Sequence, residues 1–308
     1  MAYPMTPYIP PMVRNTITCY LAGAACQDAV KRFQRPRMCI VAGPPGVGKS
    51  TAIRQICQEL GVPLHPISAS TLNGPDAGQA VAPLKSQYVR QARNPEGIQT
   101  AIVLEDFDQS VARIDEAITG TEHGPQLTEF LMSIADDPHK IEVSHATKPM
   151  EVQSLERGPA LFMTVNDTRR IHEALKRKRR AVIVEWIASP EDLCEAVQRL
   201  YPRCTPANIR RLVLAFPGQP IAFYDEIGDR AVEAELSAFL DTVPPGRFQT
   251  INFAGLAAQL VQARQKLTAL QLFTAARKLA AEDDHKSYLA LPAAGQETDS
   301  RHLSIVEA

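Results

Sequence analysis

Residues 37–51, RMCIVAGPPGVGKST, decide the fold class of this 308-residue chain. Met38 to Ala42 are apolar without a break, as expected of a short strand covered on both faces. The next residues fit the spacing G-x-x-x-x-G-K-S, with Gly43, Gly48, Lys49 and Ser50 in the defining places. Pro44, Pro45, Gly46 and Val47 fill the loop, and Thr51 follows it. Backbone N–H groups can close around phosphate oxygens only where no Cβ intrudes, which is why glycines stand there. A helix starting at Lys49 would aim its positive end at the same anion. The strand–loop–helix order therefore predicts a nucleotide site. Lys49 is expected at the β- and γ-phosphates of ATP, and Ser50 at Mg2+.

A second strand belongs beside this loop. In TAIVLEDFDQS (100–110) an apolar run ends in Glu105 and Asp106, with Asp108 as a third acid. P-loop ATPases usually carry Asp then Glu here, and this chain has the reverse. Asp106 is expected to activate water and Glu105 to support Mg2+. Because magnesium keeps much of its water shell, the longer Glu105 side chain can act through water. Asp108 reads equally as a catalytic acid or as a solvated loop acid.

Further strands are expected at PALFMTVND (159–167) and AVIVEW (181–186), with a weaker candidate at VPLHPISAS (62–70). Helical patterns lie between them, at about 12–33, 49–60, 81–92, 126–135 and 170–176, and a polar loop is expected over 139–158. Strands alternating with helices predict a doubly wound, mainly parallel α/β sheet. After Pro190 only helical patterns remain, at about 190–200, 206–215, 219–240 and 253–282. The first has Ser189 as N-cap, Pro190 at the first helical position and Asp192 in the first turn. The expected organisation is an α/β nucleotide-binding subdomain over 1–188, a helical lid over 189–290 and a flexible tail over 291–308.

Bulk properties exclude other classes. The chain is 45% hydrophobic and 22% charged, with a net charge of −1, which leaves no global basic footprint for nucleic acid. No apolar run approaches the length of a membrane span, and the start has no signal-peptide plan. The six cysteines form no C-x-x-C pair and read as small buried hydrophobes in a reducing, cytoplasmic setting. No histidine spacing suggests a metal site.

Several stretches together resemble Rubisco activase, the AAA+ motor that strips inhibitory sugar phosphates from Rubisco. They are ISASTLNGPDAGQAVAPLKSQYVRQA (67–92), LTEFLMSIADDPHKI (127–141) and FPGQPIAFYDEIGDR (216–230). EDFD (105–108) stands where that family has Asn-Asp-Leu-Asp. The resemblance covers about residues 8–240 and implies an ATP-hydrolysing ring, hexameric in form, acting on a protein client. It implies a water-orienting sensor role for Asn166 in MTVNDT (163–168). It also implies arginine-finger roles for Arg177 and Arg180 in ALKRKRRAVIVEW (174–186), and a lid-sensor role for Arg230, although Gly228 replaces a second arginine there. Plant-type members begin with a separate Rubisco-engaging domain, whereas this chain begins at the motor. The stretches 71–78 and 119–124, expected to face a central pore, contain no aromatic residue, which suits a partial pull better than full threading. Rubisco is thus one candidate client.

Two other classes compete. The basic run Lys176–Arg180 suits a DNA-associated AAA+ loader or transposition regulator, against which stands the near-zero net charge. A P-loop small-molecule kinase would need neither the sensor strand nor the helical annex.

Overall fold

A computed structural model describes residues 7–30, 35–68, 72, 77–94, 96–108, 123–145, 148–244 and 246–289. Helix α1 (Pro11–Ala29) leads into β1 (Met38–Ala42), the phosphate-loop segment and α2 (Lys49–Glu59). Then come β2 (Leu64–Ser68), α3 (Ala77–Ala92), β3 (Ala101–Glu105) and α4 (His123–Asp136). A hairpin of β4 (Lys140–His145) and β5 (Lys148–Ser154) precedes β6 (Ala160–Val165) and β7 (Ala181–Glu185). The rest of the described chain is helical: α5 (Pro190–Leu200), α6 (Pro206–Ala215), α7 (Ile221–Asp241), α8 (Phe253–Gln265) and α9 (Ala269–Leu289).

Five strands form one parallel sheet in the order β2-β3-β6-β1-β7. All five residues of β1 and all six of β6 are buried, because helices cover both faces. Alternate residues of β1 feed the two cores. Met38 and Ile40 pack with Leu84, Tyr88 and Leu131 from α3 and α4. Cys39 and Val41 pack with Ile17, Leu21, Ile53 and Ile56 from α1 and α2. Strand β2 tolerates Pro66 because it lies at the sheet edge, where a missing N–H breaks no ladder. A third core, with Tyr201, Leu212, Tyr224, Ile227 and Ala276, holds the helical region.

The expected burial of all six cysteines fails at Cys19 and Cys26, which are exposed, and at half-buried Cys194. The fold departs from the sequence expectations in four further places. The expected polar loop over 139–158 contains the β4–β5 antiparallel hairpin. The expected helix over 170–176 is a short 3-10 turn, Thr168–Arg170, followed by hydrogen-bonded turns at Leu175 and Lys176. The helix expected over 253–282 is broken into α8 and α9, with Lys266 closing the first and Leu267 buried in the break. The first helix ends at Ala29, earlier than expected. The start of α5 has the anticipated Ser189 N-cap, and the structure adds a capping box in which Ser189 and Asp192 exchange hydrogen bonds. The expected tail over 291–308 lies outside the described residues, as do most of 71–78 and 119–124.

Candidate nucleotide site

The phosphate-loop segment emerges at the carboxyl end of β1, between β6 and β7. Gly43 N–H donates to the Val165 carbonyl at 3.1 Å. A Cβ on Gly43 would stand 2.5 Å from the Trp186 carbonyl oxygen, so only glycine fits between the strands there. Gly46 and Gly48 have φ of +75° and +96°, a left-handed backbone that bends the segment back toward α2. Pro44 and Pro45 have no N–H, so the loop's donors come from Gly46 onward through Val47, Gly48, Lys49, Ser50 and Thr51. Helix α7 touches this turn directly: Ala222 N–H donates to the Gly46 carbonyl at 3.1 Å.

Lys49 opens α2 and is 6% exposed. Its Nζ donates to the Gly43 and Pro44 carbonyls at 2.7 and 2.9 Å and to Asn166 Oδ1 at 2.8 Å. Burial pulls the amine below its ordinary pKa, while the nearby Asp106 and Asp108 carboxylates oppose that shift. A cation held only by neutral oxygens suits an anionic ligand that would replace some of them. Asn166, at the end of β6, is therefore joined to the loop across 117 residues of sequence.

The acids at the end of β3 point different ways. Glu105 meets Arg54 of α2 at 3.4 Å, one helical turn beyond Ser50. Asp106 is exposed and has φ of +50°, the one described non-glycine residue with positive φ. Its N–H donates to Thr164 Oγ1 at 3.0 Å. Asp108 is 2% exposed, which removes the reading of a solvated loop acid.

The family profile described as "ATPase family associated with various cellular activities (AAA)" matches residues 39–188, just under half of the chain. Residues 39–188 are an AAA ATPase domain. Domains of this family belong to ATP-hydrolysing enzymes. The chain is also similar to "ATPase family gene 2 protein homolog B" of Rattus norvegicus, 28% identical over 151 residues. That match covers 47% of this chain and 19% of the relative. The Bos taurus protein of that name is 26% identical over 133 residues, covering 41% and 17% respectively. The chain thus spans less than a fifth of the length of these relatives. A "Guanylate kinase" of Rhodopirellula baltica is 24% identical over 143 residues, covering 43% of this chain and 68% of the kinase.

The arginines around the AAA domain separate into different settings. Arg180 is clamped within its own chain: Nε and Nη2 donate to the two Asp136 carboxylate oxygens at 2.8 and 2.6 Å, and Nη1 to the Ala174 carbonyl at 3.0 Å. Arg177 is exposed, and its carbonyl closes the turn onto Arg180 and Ala181. Arg230, expected at the nucleotide, does not line the cavity beside the phosphate loop. It is surrounded instead by Glu226, Glu233 and Glu282, the last of these 52 residues away on α9.

That cavity, of about 530 Å³, opens between the AAA domain and the helices, and is lined among others by Tyr8, Gly48, Trp186, Arg199 and Arg264. Tyr8 OH donates to Asp192 Oδ1 at 2.6 Å, and the Arg199 guanidinium lies 5.1 Å from the Tyr8 ring centre. Burial and the Asp192 hydrogen bond push the Tyr8 phenol up to about 12. Arg264 of α8 is 4% exposed and bridges Asp225 and Asp229 of α7. Nothing local marks such a residue: QARQK (262–266) reads as an ordinary helix end. Only the packing of α8 on α7 brings it to the cavity. Among the described residues no helix is long and apolar enough to cross a membrane, and no group of three potential metal-ligating side chains occurs.

Proposed function

We propose that this chain works as an ATP- and Mg2+-dependent ring motor, hexameric in form, that remodels a protein client in the cytoplasm. In this reading the loop from Gly43 to Thr51 holds the phosphates, Ser50 and Glu105 hold Mg2+ partly through water, and Asp106 and Asn166 prepare water for attack. Bound Mg2+ would supply charge neutralisation at the transferring phosphoryl group. The Rubisco activase resemblance makes Rubisco one client within this class.

The place of Arg177 carries the reading. It precedes β7, whose first residue pairs with Met38 at the amino end of β1, whereas the phosphate loop leaves the carboxyl end. Five residues of strand separate them, about 16 Å at 3.3 Å per residue, more than an arginine side chain spans. An exposed arginine in that position can serve a γ-phosphate only on another subunit, which a ring provides. Arg180, clamped on Asp136, supports the turn that presents Arg177. A monomeric kinase, suggested by the guanylate kinase similarity, has no use for this arrangement.

The test is subunit mixing. Arg177→Ala should bind ATP normally and hydrolyse it about a thousandfold more slowly, as expected for loss of an arginine finger. Adding Lys49→Ala subunits, inactive by themselves, should restore part of the turnover. Light scattering with ATP and Mg2+ should report a mass near that of the ring. A monomer whose turnover per subunit ignores protein concentration, with no rescue on mixing, overturns the proposal.

A further inference from the structure

Two hydrogen bonds tie the end of β3 to the end of β6. One runs from Asp106 N–H to Thr164 Oγ1 at 3.0 Å. The other runs from Asp167 N–H to Asp108 Oδ2 at 3.2 Å. Thr164 and Asp108 are both almost fully buried, at 1% and 2% exposure. Asp108 Oδ1 has no hydrogen-bond partner among the described residues. A carboxylate with one unsatisfied oxygen is a costly way to hold a single backbone N–H. Its position explains the choice better than stability does. Asp167 follows Asn166, and Asn166 Oδ1 holds Lys49 Nζ at 2.8 Å. Asp108 therefore sits one peptide away from the residue that reads the phosphate site, and its charge acts on the same lysine.

We propose that Asp108 is a positioning residue for ATP hydrolysis. By accepting the Asp167 N–H, it sets the turn after β6 so that the Asn166 side chain faces Lys49 and the phosphate loop. The Thr164 bond holds Asp106 in its left-handed conformation from the other side. The acid and the sensor are thus held as one unit rather than on two independent loops. This inference rests on the ATPase reading above, with Asn166 in contact with the reacting groups and Asp108 acting through it.

Four variants test it: Asp108→Ala, Asp108→Asn, Asn166→Ala and the double variant Asp108→Ala/Asn166→Ala. Turnover is expressed per nucleotide-binding subunit, counted by the fluorescence of the sole tryptophan, Trp186, which lines the cavity. Asp108→Ala should lower kcat about tenfold to thirtyfold, with KM for ATP within threefold of wild type. Asp108→Asn keeps an acceptor oxygen and should retain kcat within about threefold. In the Asn166→Ala background, Asp108→Ala should have no further effect, since coupled residues are not additive. A merely structural role would lower the number of active subunits and the Tm, and leave kcat per active subunit unchanged. That result overturns the proposal, as do losses that multiply in the double variant or an Asn variant as impaired as the Ala variant. Lys49→Ala separates the two levels. Turnover that survives Lys49→Ala defeats the ATPase reading itself. Turnover that depends on Lys49 but ignores Asp108 defeats only the positioning role.

Discussion

Gly43→Ala places one methyl group where the strands leave no room for it. The added Cβ would lie 2.5 Å from the Trp186 carbonyl oxygen and 3.3 Å from the Trp186 Cβ. Neither backbone is free to retreat. Gly43 N–H is bonded to Val165 and Trp186 N–H to the Ala42 carbonyl at 2.7 Å, so relief requires parting β1 from β7 or lifting the loop. Overpacking of this kind costs about 2 kcal/mol. For a unit of this size that corresponds to a fall in Tm of about 4–8 °C by calorimetry. Lifting the loop also misplaces its N–H groups, so ATP affinity read from Trp186 fluorescence should fall at least about tenfold. Gly23→Ala is the matched control. Its Cβ would meet the Arg35 side chain, nearest at Cγ, at an ordinary 3.5 Å, and it lies within α1, where alanine is the better helix former by about 0.5–1 kcal/mol. A Gly43→Ala protein with unchanged Tm and unchanged ATP affinity would refute the strand-spacing argument.

The acids at β3 should divide: Asp106→Asn is expected to bind ATP and nearly stop turnover, and Glu105→Gln to raise the Mg2+ concentration needed for half-maximal rate. Loss of turnover in Glu105→Gln alone would reverse the two roles. Arg180→Ala should destabilise the chain by about 1 kcal/mol, because it removes a partly exposed bidentate pair with Asp136 and one carbonyl bond. Arg177→Ala should leave the Tm where it is, and the opposite ranking in a thermal melt would show that the clamp has been misassigned. The charged form of Lys49 is the one that attracts phosphate, and burial lowers its pKa from the ordinary 10.5. ATP affinity should therefore begin to decline with rising pH below that value, as the protein without nucleotide loses the lysine charge. Affinity that stays flat through pH 10.5 would contradict this.

Legibility followed the range of the interactions. The five-stranded parallel sheet could be read because four of its strands are mainly apolar runs, LHPIS of β2 being the weak one, and its turns are marked by glycine and proline over a few residues. The helical region after Pro190 was readable for the same reason, down to the Ser189–Asp192 cap. The β4–β5 hairpin was not, since Lys140–His145 and Lys148–Ser154 mix charged and apolar residues that read as a polar loop when strand pairing is unknown. The split between α8 and α9 was hidden because Leu267 continues the helical pattern while filling the core of the helical region.

Within the site, spacing alone specified the loop from Gly43 to Thr51, because its conformation depends on neighbours in the chain. It could not say what each charged residue faces. Arg230 is drawn to Glu282 on α9, Arg264 reaches the cavity through α7–α8 packing, and Arg180 finds Asp136 across 44 residues. The sequence leaves Asp108 equally a catalytic or a solvated acid, and only the end of β6 buries it and supplies Asp167 N–H. Propensity, turn chemistry and phosphate-loop geometry are local, so the order of residues determined them. Burial and charge pairing depend on which segments the sheet and helices bring together, so only the tertiary structure decided whether a given carboxylate or arginine braces the fold or faces the nucleotide.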